Sequence, residues 1–285
     1  MPEIRTAERA ISDSSAITRN DRLTVAAIGL AAMCLVTFDH EALGHGGMCL
    51  ALGGHIRILT SSVFRCDLRS VWIDPAGPFG NLLVGALALV LVGTVPRRSA
   101  GIRLFLILVA CFSFFWEAGY VIEAMRSRHG DLYSAARDFL GEPSTGWRIG
   151  GTLAGLGLYL FTARWTSRAL LELWPVAAAA RRVARTAWAT ASIGAALAAL
   201  AYTGEGFGDL RDAILEIGAS SWPLLIIPRS NSSTPEALPA GIIVRNWTVV
   251  CASALVYAIF VATLGRGLRL LTLHFRVLDG TQYLS

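Results

Sequence analysis

Long apolar runs separated by short polar stretches dominate the chain. The hydrocarbon core of a membrane is about 30 Å thick, and a helix needs about 20 apolar residues to cross it. By that measure the pattern predicts six spanning helices, at residues 23–52, 79–95, 102–124, 149–173, 184–203 and 241–265. A shorter run at 213–227 contains Glu216 and Pro223, which favours an interfacial or re-entrant segment. The predicted fold class is an all-α polytopic membrane protein.

The connection between the first two predicted spans has a different pattern. Apolar and polar residues alternate between His55 and Ile73, and a period of two is typical of strands. We therefore expect a small β-hairpin lying against the membrane. The polar stretches further divide the chain into an N-terminal tail (1–22), a membrane domain (23–275) and a C-terminal tail (276–285), with a proline-rich polar loop at 204–240 that holds the re-entrant segment.

Composition and charge agree with a membrane protein. The residues are 54% hydrophobic and 16% charged, which argues against an ordinary soluble enzyme. The net charge of +5 comes from arginines in the loops, so it indicates orientation in a membrane rather than nucleic-acid binding. An excess of arginines in the inside loops favours both termini in the cytoplasm. The absence of lysine and the wealth of alanine and glycine suggest a bacterial source, and hence the inner membrane.

The five cysteines predict no metal site of their own. They form no CxxC pair, and at least three lie in apolar runs: Cys34, Cys49, Cys66, Cys111 and Cys251. This argues against a cysteine zinc site and against a disulfide framework.

The most informative stretch is Asp39-His40-Glu41-Ala42-Leu43-Gly44-His45-Gly46-Gly47, at the end of the first apolar run. Ionisable residues are costly within a membrane, so such a cluster indicates a functional site. Two histidines flanking a glutamate on a helix are the zinc-hydrolase arrangement, in which the imidazoles hold the metal and the carboxylate acts on water. The alternative is a polar cluster hydrogen-bonded inside a helix bundle.

The spacing of these histidines is unusual. In HExxH they are four residues apart and face one metal, whereas His40 and His45 are five apart, about 140° around a regular helix. A π-bulge would bring them together, as would a local break at the glycines. The stretch also resembles the HExxGH signature of a soluble zinc dipeptidyl-peptidase family, over six residues and with no implication for the fold.

A second motif extends the resemblance. The sequence Gly77-Pro78-Phe79-Gly80-Asn81 opens the second predicted span. Together with the His-Glu-His site and the strand-like connection, it resembles the site-2 protease group of intramembrane zinc metalloproteases. The resemblance covers about 45 residues. It implies that Gly77, Pro78 and Asn81 contact a substrate backbone, although a helix–helix hydrogen bond would equally explain Asn81.

In that family an aspartate from a later segment is the third metal ligand. The resemblance points to Asp131, in a Gly-Asp pair directly after the third span, with Glu117, Glu123 and His129 as alternatives. The tripeptide Leu278-Asp279-Gly280 matches the family motif but lies past the last span, so we interpret it as a chance match. Asp39 is either an acceptor for a ligand imidazole or a helix cap. We interpret His55 and His274 as surface residues.

The resemblance implies an intramembrane metallopeptidase. His40, His45 and Asp131 would hold Zn²⁺, and Glu41 would be the general base that acts on zinc-activated water. The expected substrate is a membrane-embedded or membrane-proximal protein, with the lipid bilayer as the other partner and no nucleic acid. Membrane di-iron oxygenases also use His-x4-His, but the five histidines of this chain are too few. A non-catalytic scaffold or transporter of the same fold is the remaining alternative.

Overall fold

The computed structural model of the protein describes residues 20–204, 207–227 and 241–268. Within them, two strands and a series of helices follow one another along the chain. The strands are β1 (Ile56–Leu59) and β2 (Phe64–Cys66). The α-helices are α1 (Arg22–Phe38), α2 (Gly47–Ala51), α3 (Ile73–Thr94), α4 (Ala100–Ser127), α5 (Asp131–Leu140), α6 (Thr145–Leu173), α7 (Ala177–Leu200), α8 (Phe207–Ala213) and α9 (Trp247–Phe260).

Five helical stretches of the described residues are long and apolar enough to cross a membrane. They are Arg22–Ala51, Ile73–Thr94, Ala100–Ser127, Ala177–Leu200 and Trp247–Gly265. The sequence pattern predicted six, and the difference is α6. This helix has 29 residues, but glycines, threonines and Arg164 dilute its apolar stretch. The structure therefore confirms a mostly helical chain with membrane-like helices and corrects the number of apolar spans.

Helix α4 lies at the centre of the bundle. It packs against α3 and α6, while α1 packs against α7 and α9. The middle of α4 contributes large side chains that are almost fully buried, among them Phe112, Phe115 and Trp116. Helix α4 also contacts α1. Trp116 and Glu117 of α4 therefore lie against His40, at the polar end of the first helix.

The segment 207–227 does not form a regular helix. After α8 it continues as a π-helical turn (Ile214–Ala219) and a 3₁₀ turn (Trp222–Leu225). It runs antiparallel to α7: the carbonyl of Gly218 accepts a hydrogen bond from Trp188 Nε1, and that of Leu225 accepts one from Arg185 Nε. The segment therefore packs lengthwise against α7, and whether it is interfacial or re-entrant stays a prediction.

The predicted hairpin between the first two long helices is confirmed. Strands β1 and β2 pair antiparallel, with Ile58 opposite Arg65 and Leu59 opposite Phe64. The outer edge of β1 forms a bridge to Leu268, through backbone hydrogen bonds in both directions with Leu59.

A disulfide joins the hairpin to the first helix. Cys49 of α2 is bonded to Cys66 of β2, with the two Cα atoms 6.1 Å apart. The expectation that the cysteines form no disulfide is therefore wrong for this pair. The cause is the hairpin, which folds back over the end of the helix and brings two cysteines together that the sequence separates by 17 residues.

Candidate metal centre

A π-helical segment, Asp39–Gly46, joins α1 to α2 and carries both histidines of the motif. A π-helix pairs residue i with residue i+5, so residues five apart come to lie above one another. The segment therefore brings His40 and His45 to one side of the helix, as expected for a π-bulge. The alternative of a local break is not seen, because the backbone stays helical from Arg22 to Ala51.

Two glycines let α3 approach this segment closely. A Cβ on Gly44 would lie 2.6 Å from the Cα of Gly77 and 2.7 Å from the carbonyl oxygen of Ala76. A Cβ on Gly77 would lie 2.3 Å from His45 Nε2 and 2.8 Å from His40 Nε2. Such contacts leave no space for a side chain at either position. Gly77 is therefore placed against the imidazoles, at the start of α3.

Three predicted ligands meet beside Gly77. The Nε2 atoms of His40 and His45 are 3.3 Å apart, and His45 Nε2 is 3.2 Å from Asp131 Oδ2. One ligand atom from each of the three residues lies within 4.8 Å of the others. His40, His45 and Asp131 therefore form a cluster that could hold a metal ion.

The other nitrogen of each ring has its own acceptor. His45 Nδ1 lies 2.8 Å from the carbonyl oxygen of Ile73, and His40 Nδ1 lies 3.2 Å from Glu117 Oε1. A carbonyl can only accept, so the ring proton of neutral His45 is on Nδ1. The carboxylate of Glu117 favours the same tautomer of His40. Both Nε2 atoms then present lone pairs to the cluster.

Asn81 ties α3 to α4 behind His40. Its Nδ2 donates a hydrogen bond of 2.8 Å to Glu117 Oε1 and lies 3.1 Å from His40 Nδ1. Asn81 is fully buried, and its Oδ1 has no hydrogen-bond partner in the part of the chain that the structure describes. The helix–helix hydrogen bond expected as one interpretation of Asn81 is therefore present, and contact with a substrate stays a prediction.

The donor set fits a cation. Two Nε2 atoms and a carboxylate oxygen face one another, at 3.3 Å between the imidazoles and 3.2 Å from His45 to Asp131. Three acceptors in contact are unfavourable unless a proton or a metal ion lies among them. Beside them Glu41 is 4% exposed, and its Oε2 has no hydrogen-bond partner in the described structure. These residues would satisfy a divalent ion with nitrogen and oxygen ligands.

Aromatic rings form the walls of the cluster. Trp116 of α4 stacks on His40 with the ring centroids 4.4 Å apart, and Phe64 of β2 stacks on His45 at 5.5 Å. Tyr120 of α4 donates a hydrogen bond of 3.1 Å to Asp131 Oδ2 and accepts one from the backbone N–H of Asp131. The hairpin and α4 thus restrain all three candidate ligands.

The other residues considered for the third ligand do not join the cluster within the described residues. His129 is exposed and belongs to no cluster of candidate ligands within the described residues. Glu123 is exposed and forms an ion pair with Arg126. Glu117 is near the cluster, but it contacts the Nδ1 side of His40. Leu278-Asp279-Gly280 and His274 lie outside the described residues.

Several predicted side chains have other partners or none. Asp39 is buried where the first helix continues into the π-helical segment, so its side chain caps no free helix end, and its Oδ2 has no hydrogen-bond partner among the described residues. Glu117 takes the role that the sequence offered to Asp39, as the acceptor for a ligand imidazole.

Pro78 is buried in the first turns of α3. His55 is on the surface, as expected, where it pairs with Asp67.

Sequence reasoning missed the residues that orient the ligands. Glu117 could have been assigned, because it is an ionisable residue within an apolar run and such residues need a partner. The backbone carbonyl of Ile73 and the hydroxyl of Tyr120 carry no signal in the sequence, since only the fold brings them to the cluster.

Comparison with known proteins finds no match. No family model, no curated protein and no solved structure is similar to this chain. The resemblance to site-2 proteases therefore depends on the motifs alone, and the function must be argued from the cluster.

Proposed function

We propose that this chain is an integral membrane zinc metalloendopeptidase that hydrolyses peptide bonds of membrane-embedded or membrane-proximal proteins. The observation that carries the proposal is the convergence of His40 Nε2, His45 Nε2 and Asp131 Oδ2 next to the buried carboxylate of Glu41, whose Oε2 has no hydrogen-bond partner among the described residues. Three protein ligands and a neighbouring carboxylate are the composition of catalytic zinc sites.

Zinc is the proposed ion because of the ligand types. Two imidazoles and one carboxylate suit zinc, whereas magnesium and calcium prefer oxygen ligands. A bound zinc ion would supply Lewis-acid activation of a water molecule and of the scissile carbonyl. His40, His45 and Asp131 would hold it, with Glu117, Ile73 and Tyr120 fixing their orientation.

Glu41 is the proposed general base. It lies between the two histidines in the sequence and on the same buried segment, and within the described residues its Oε2 has no hydrogen-bond partner. A carboxylate in this position accepts a proton from water and delivers it to the leaving amine. General acid–base groups contribute about 10²–10⁴-fold to rates, which sets the size of the effect expected on its removal.

The substrate side of the proposal uses the hairpin and α3. A helical substrate has its carbonyls hydrogen-bonded and must unwind before attack, so an extended segment needs backbone partners. Strand β1 pairs with β2 on one edge and is bridged to Leu268 at Leu59 on the other, so a substrate segment would displace that bridge to pair with it. Gly77, Pro78 and Asn81 are the residues that we propose to line this path, in keeping with the family resemblance.

The proposed location is a bacterial inner membrane with the N-terminus in the cytoplasm. The five apolar helical stretches support membrane insertion, and the loop arginines support this orientation. The metal cluster, the hairpin and the Cys49–Cys66 disulfide would then face the exterior. That side agrees with the disulfide, because such bonds persist in oxidising compartments.

A non-catalytic scaffold or transporter with a structural metal is the second candidate. Burial favours it: His40, Glu41 and His45 are 3–4% exposed, and only Asp131 is partly open to solvent. A structural site is closed in this way, whereas a catalytic site keeps an open position.

Cleavage by purified protein separates the two candidates. The zinc-loaded protein is reconstituted into vesicles with a panel of single-span membrane proteins, and new N-termini are identified by mass spectrometry. Glu41→Gln is the matched variant, since it keeps the shape of the side chain. We expect cleavage by the wild type and a loss of about 10²–10⁴-fold in the variant with zinc retained. Equal cleavage by both proteins would contradict the peptidase mechanism, and cleavage by neither would favour the scaffold.

A further inference from the structure

Helix α5 is short and amphipathic, and its first residue is the candidate ligand Asp131. The helix has 10 residues, too few to cross a membrane. On a helical projection, Ser134, Arg137 and Asp138 lie on one side, and the apolar residues lie on the other. Tyr133 and Ala135 on the apolar side are buried, whereas Phe139 and Leu140 are 46% and 62% exposed.

The exposed end of this apolar side is continuous with α3. Phe139 packs against Trp72, the residue that precedes α3, with the ring centroids 4.9 Å apart and the rings at 69°. Trp72 is itself 56% exposed. We define the α5 apolar face as Trp72, Phe139 and Leu140.

A stripe along α3 extends the face. Phe79, Leu83 and Val90 follow Trp72 at helical spacings that return to the same side, and they are 66%, 71% and 62% exposed. In a membrane-spanning α3 this stripe faces lipid. The α5 apolar face begins where the stripe ends, at the level where tryptophan is enriched in membrane proteins. Lipid is therefore the occupant that fits both surfaces.

We propose that α5 lies in the membrane interface, and that contact of its apolar face with lipid positions Asp131 at the metal cluster. Amphipathic helices of this kind bury their apolar side at the boundary between headgroups and acyl chains. The positioning part of this inference depends on the proposed metal site, and both parts depend on the proposed membrane insertion.

The link from lipid to ligand is short. Asp131 is the first residue of α5, and the turn before it contains Arg128 at φ 62° and Gly130 at φ 94°. Among the described residues, no side chain caps the N-terminus of α5. The hydrogen bonds between Tyr120 and Asp131 join the start of α5 to α4. The far end of the helix exposes its apolar side chains, so its angle, and with it the carboxylate of Asp131, depends on what covers them.

Spin labels test the location of α5 directly. Single cysteines replace Phe139, Leu83 or Arg137 in a Cys251→Ser background, because Cys34 and Cys111 are buried and Cys251 is exposed. The labelled proteins are reconstituted in phosphatidylcholine vesicles, and accessibility to oxygen is compared with accessibility to a water-soluble nickel chelate. We expect labels at 139 and 83 to favour oxygen and the label at 137 to favour nickel.

The three labels separate the failures. If the label at 83 favours oxygen and the label at 139 behaves like that at 137, the inference about α5 is overturned while membrane insertion stands. If the label at 83 also favours nickel, membrane insertion fails and the inference fails with it. None of these results depends on the metal.

Zinc affinity tests the positioning of Asp131. Leu140→Ser is compared with Leu153→Ser of α6, since the two leucines are 62% and 61% exposed. We expect Leu140→Ser to weaken zinc binding in vesicles by about tenfold, the low end of the effect of losing a group that orients a ligand, and Leu153→Ser to leave it unchanged. Equal affinities of the two variants would refute the positioning role. Absence of zinc from the wild type would refute it together with the metal site, and the label at 139 would still report where α5 lies.

Discussion

Two histidine–aspartate pairs in this protein have similar lengths and opposite surroundings. His45 Nε2 is 3.2 Å from Asp131 Oδ2, and His55 Nδ1 is 3.0 Å from Asp67 Oδ2. The His45 side chain is 6% exposed, whereas the His55 side chain is 65% exposed. The first pair belongs to a candidate metal centre, and the second is an ordinary surface contact.

The second ring nitrogen explains the difference. The backbone carbonyl of Ile73 holds His45 Nδ1, so Nε2 is directed at Asp131 and at a second imidazole. His55 uses Nδ1 for its aspartate, and no second imidazole or further carboxylate joins it in a cluster within the described residues. A histidine and an aspartate thus occur together in both places. They form a candidate ligand set only at His45, where a backbone carbonyl fixes the tautomer and burial excludes water.

The largest expected effect tests the comparison itself. His45→Ala removes one of three candidate ligands, and we expect bound zinc to fall to background because two ligands do not hold the ion against water. His55→Ala is the matched control. It should keep about one zinc per chain, because His55 does not belong to the single proposed zinc site. Elemental mass spectrometry of detergent-purified protein gives the answer. Loss of zinc in both variants, or in neither, would break the distinction between the two pairs.

Gly77→Ala should be almost as damaging. The new Cβ would lie 2.3 Å from His45 Nε2, so the imidazole or α3 must move, and we expect zinc occupancy to drop strongly while the protein still folds. Gly93→Ala on the same helix is the control, because no atom of the described residues lies within 4 Å of its Cβ position. Zinc titration of both variants measures the effect. Wild-type affinity in Gly77→Ala would mean that the cluster is looser than the contacts indicate.

Glu117→Gln should have an intermediate effect. The substitution keeps the size of the side chain but weakens its acceptance from His40 Nδ1, and loss of such a partner typically costs about 10–100-fold in metal affinity. Glu123→Gln changes an exposed glutamate on the same helix and should leave affinity unchanged. A competition titration with a zinc chelator compares the two. If their affinities are equal, Glu117 packs beside His40 without orienting it.

The smallest effect concerns the surface pair and depends on pH. Hydrogen bonds from the backbone N–H and ring of His55 hold the pKa of Asp67 below its ordinary value of 3.8. A lowered carboxyl pKa stabilises the fold above that ordinary value, and the contribution is lost as pH falls through the lowered pKa. Asp67→Asn should therefore reduce hydrogen-exchange protection of the hairpin slightly at about pH 5 and make no difference in strong acid. A pH-independent difference would assign the effect to packing.

The sequence allowed the main elements of this protein to be predicted because they depend on local patterns. Apolar length marked α1, α3, α4 and α7, and period-two alternation marked the hairpin. The histidine spacing left two possibilities, a π-bulge or a local break at the glycines, and the structure contains a π-helical segment. The packing of segment 207–227 against α7 could not be predicted, because its proline and glutamate disrupt the apolar run and its contacts with α7 are tertiary.

The site was predictable only in part for a similar reason. His40, Glu41 and His45 are neighbours in the sequence, so their chemistry could be inferred from their spacing. Asp131 was proposed through a family resemblance, and the structure brings it to His45. The Cys49–Cys66 bond could not be anticipated, because it depends on how the hairpin folds over α2.

That bond closes a covalent ring around the hairpin. A ring of this size, whose two cysteines have a sequence separation of 17, lowers the entropy of the unfolded chain and stabilises the fold by about 3 kcal/mol in the chain-entropy description. The gain comes from the unfolded state, so it is available before any ion binds. If the backbone were cut within the ring, the disulfide would still hold β2, with Phe64, to the helix that carries His45. The two stacked rings would then stay together although the chain between them is broken.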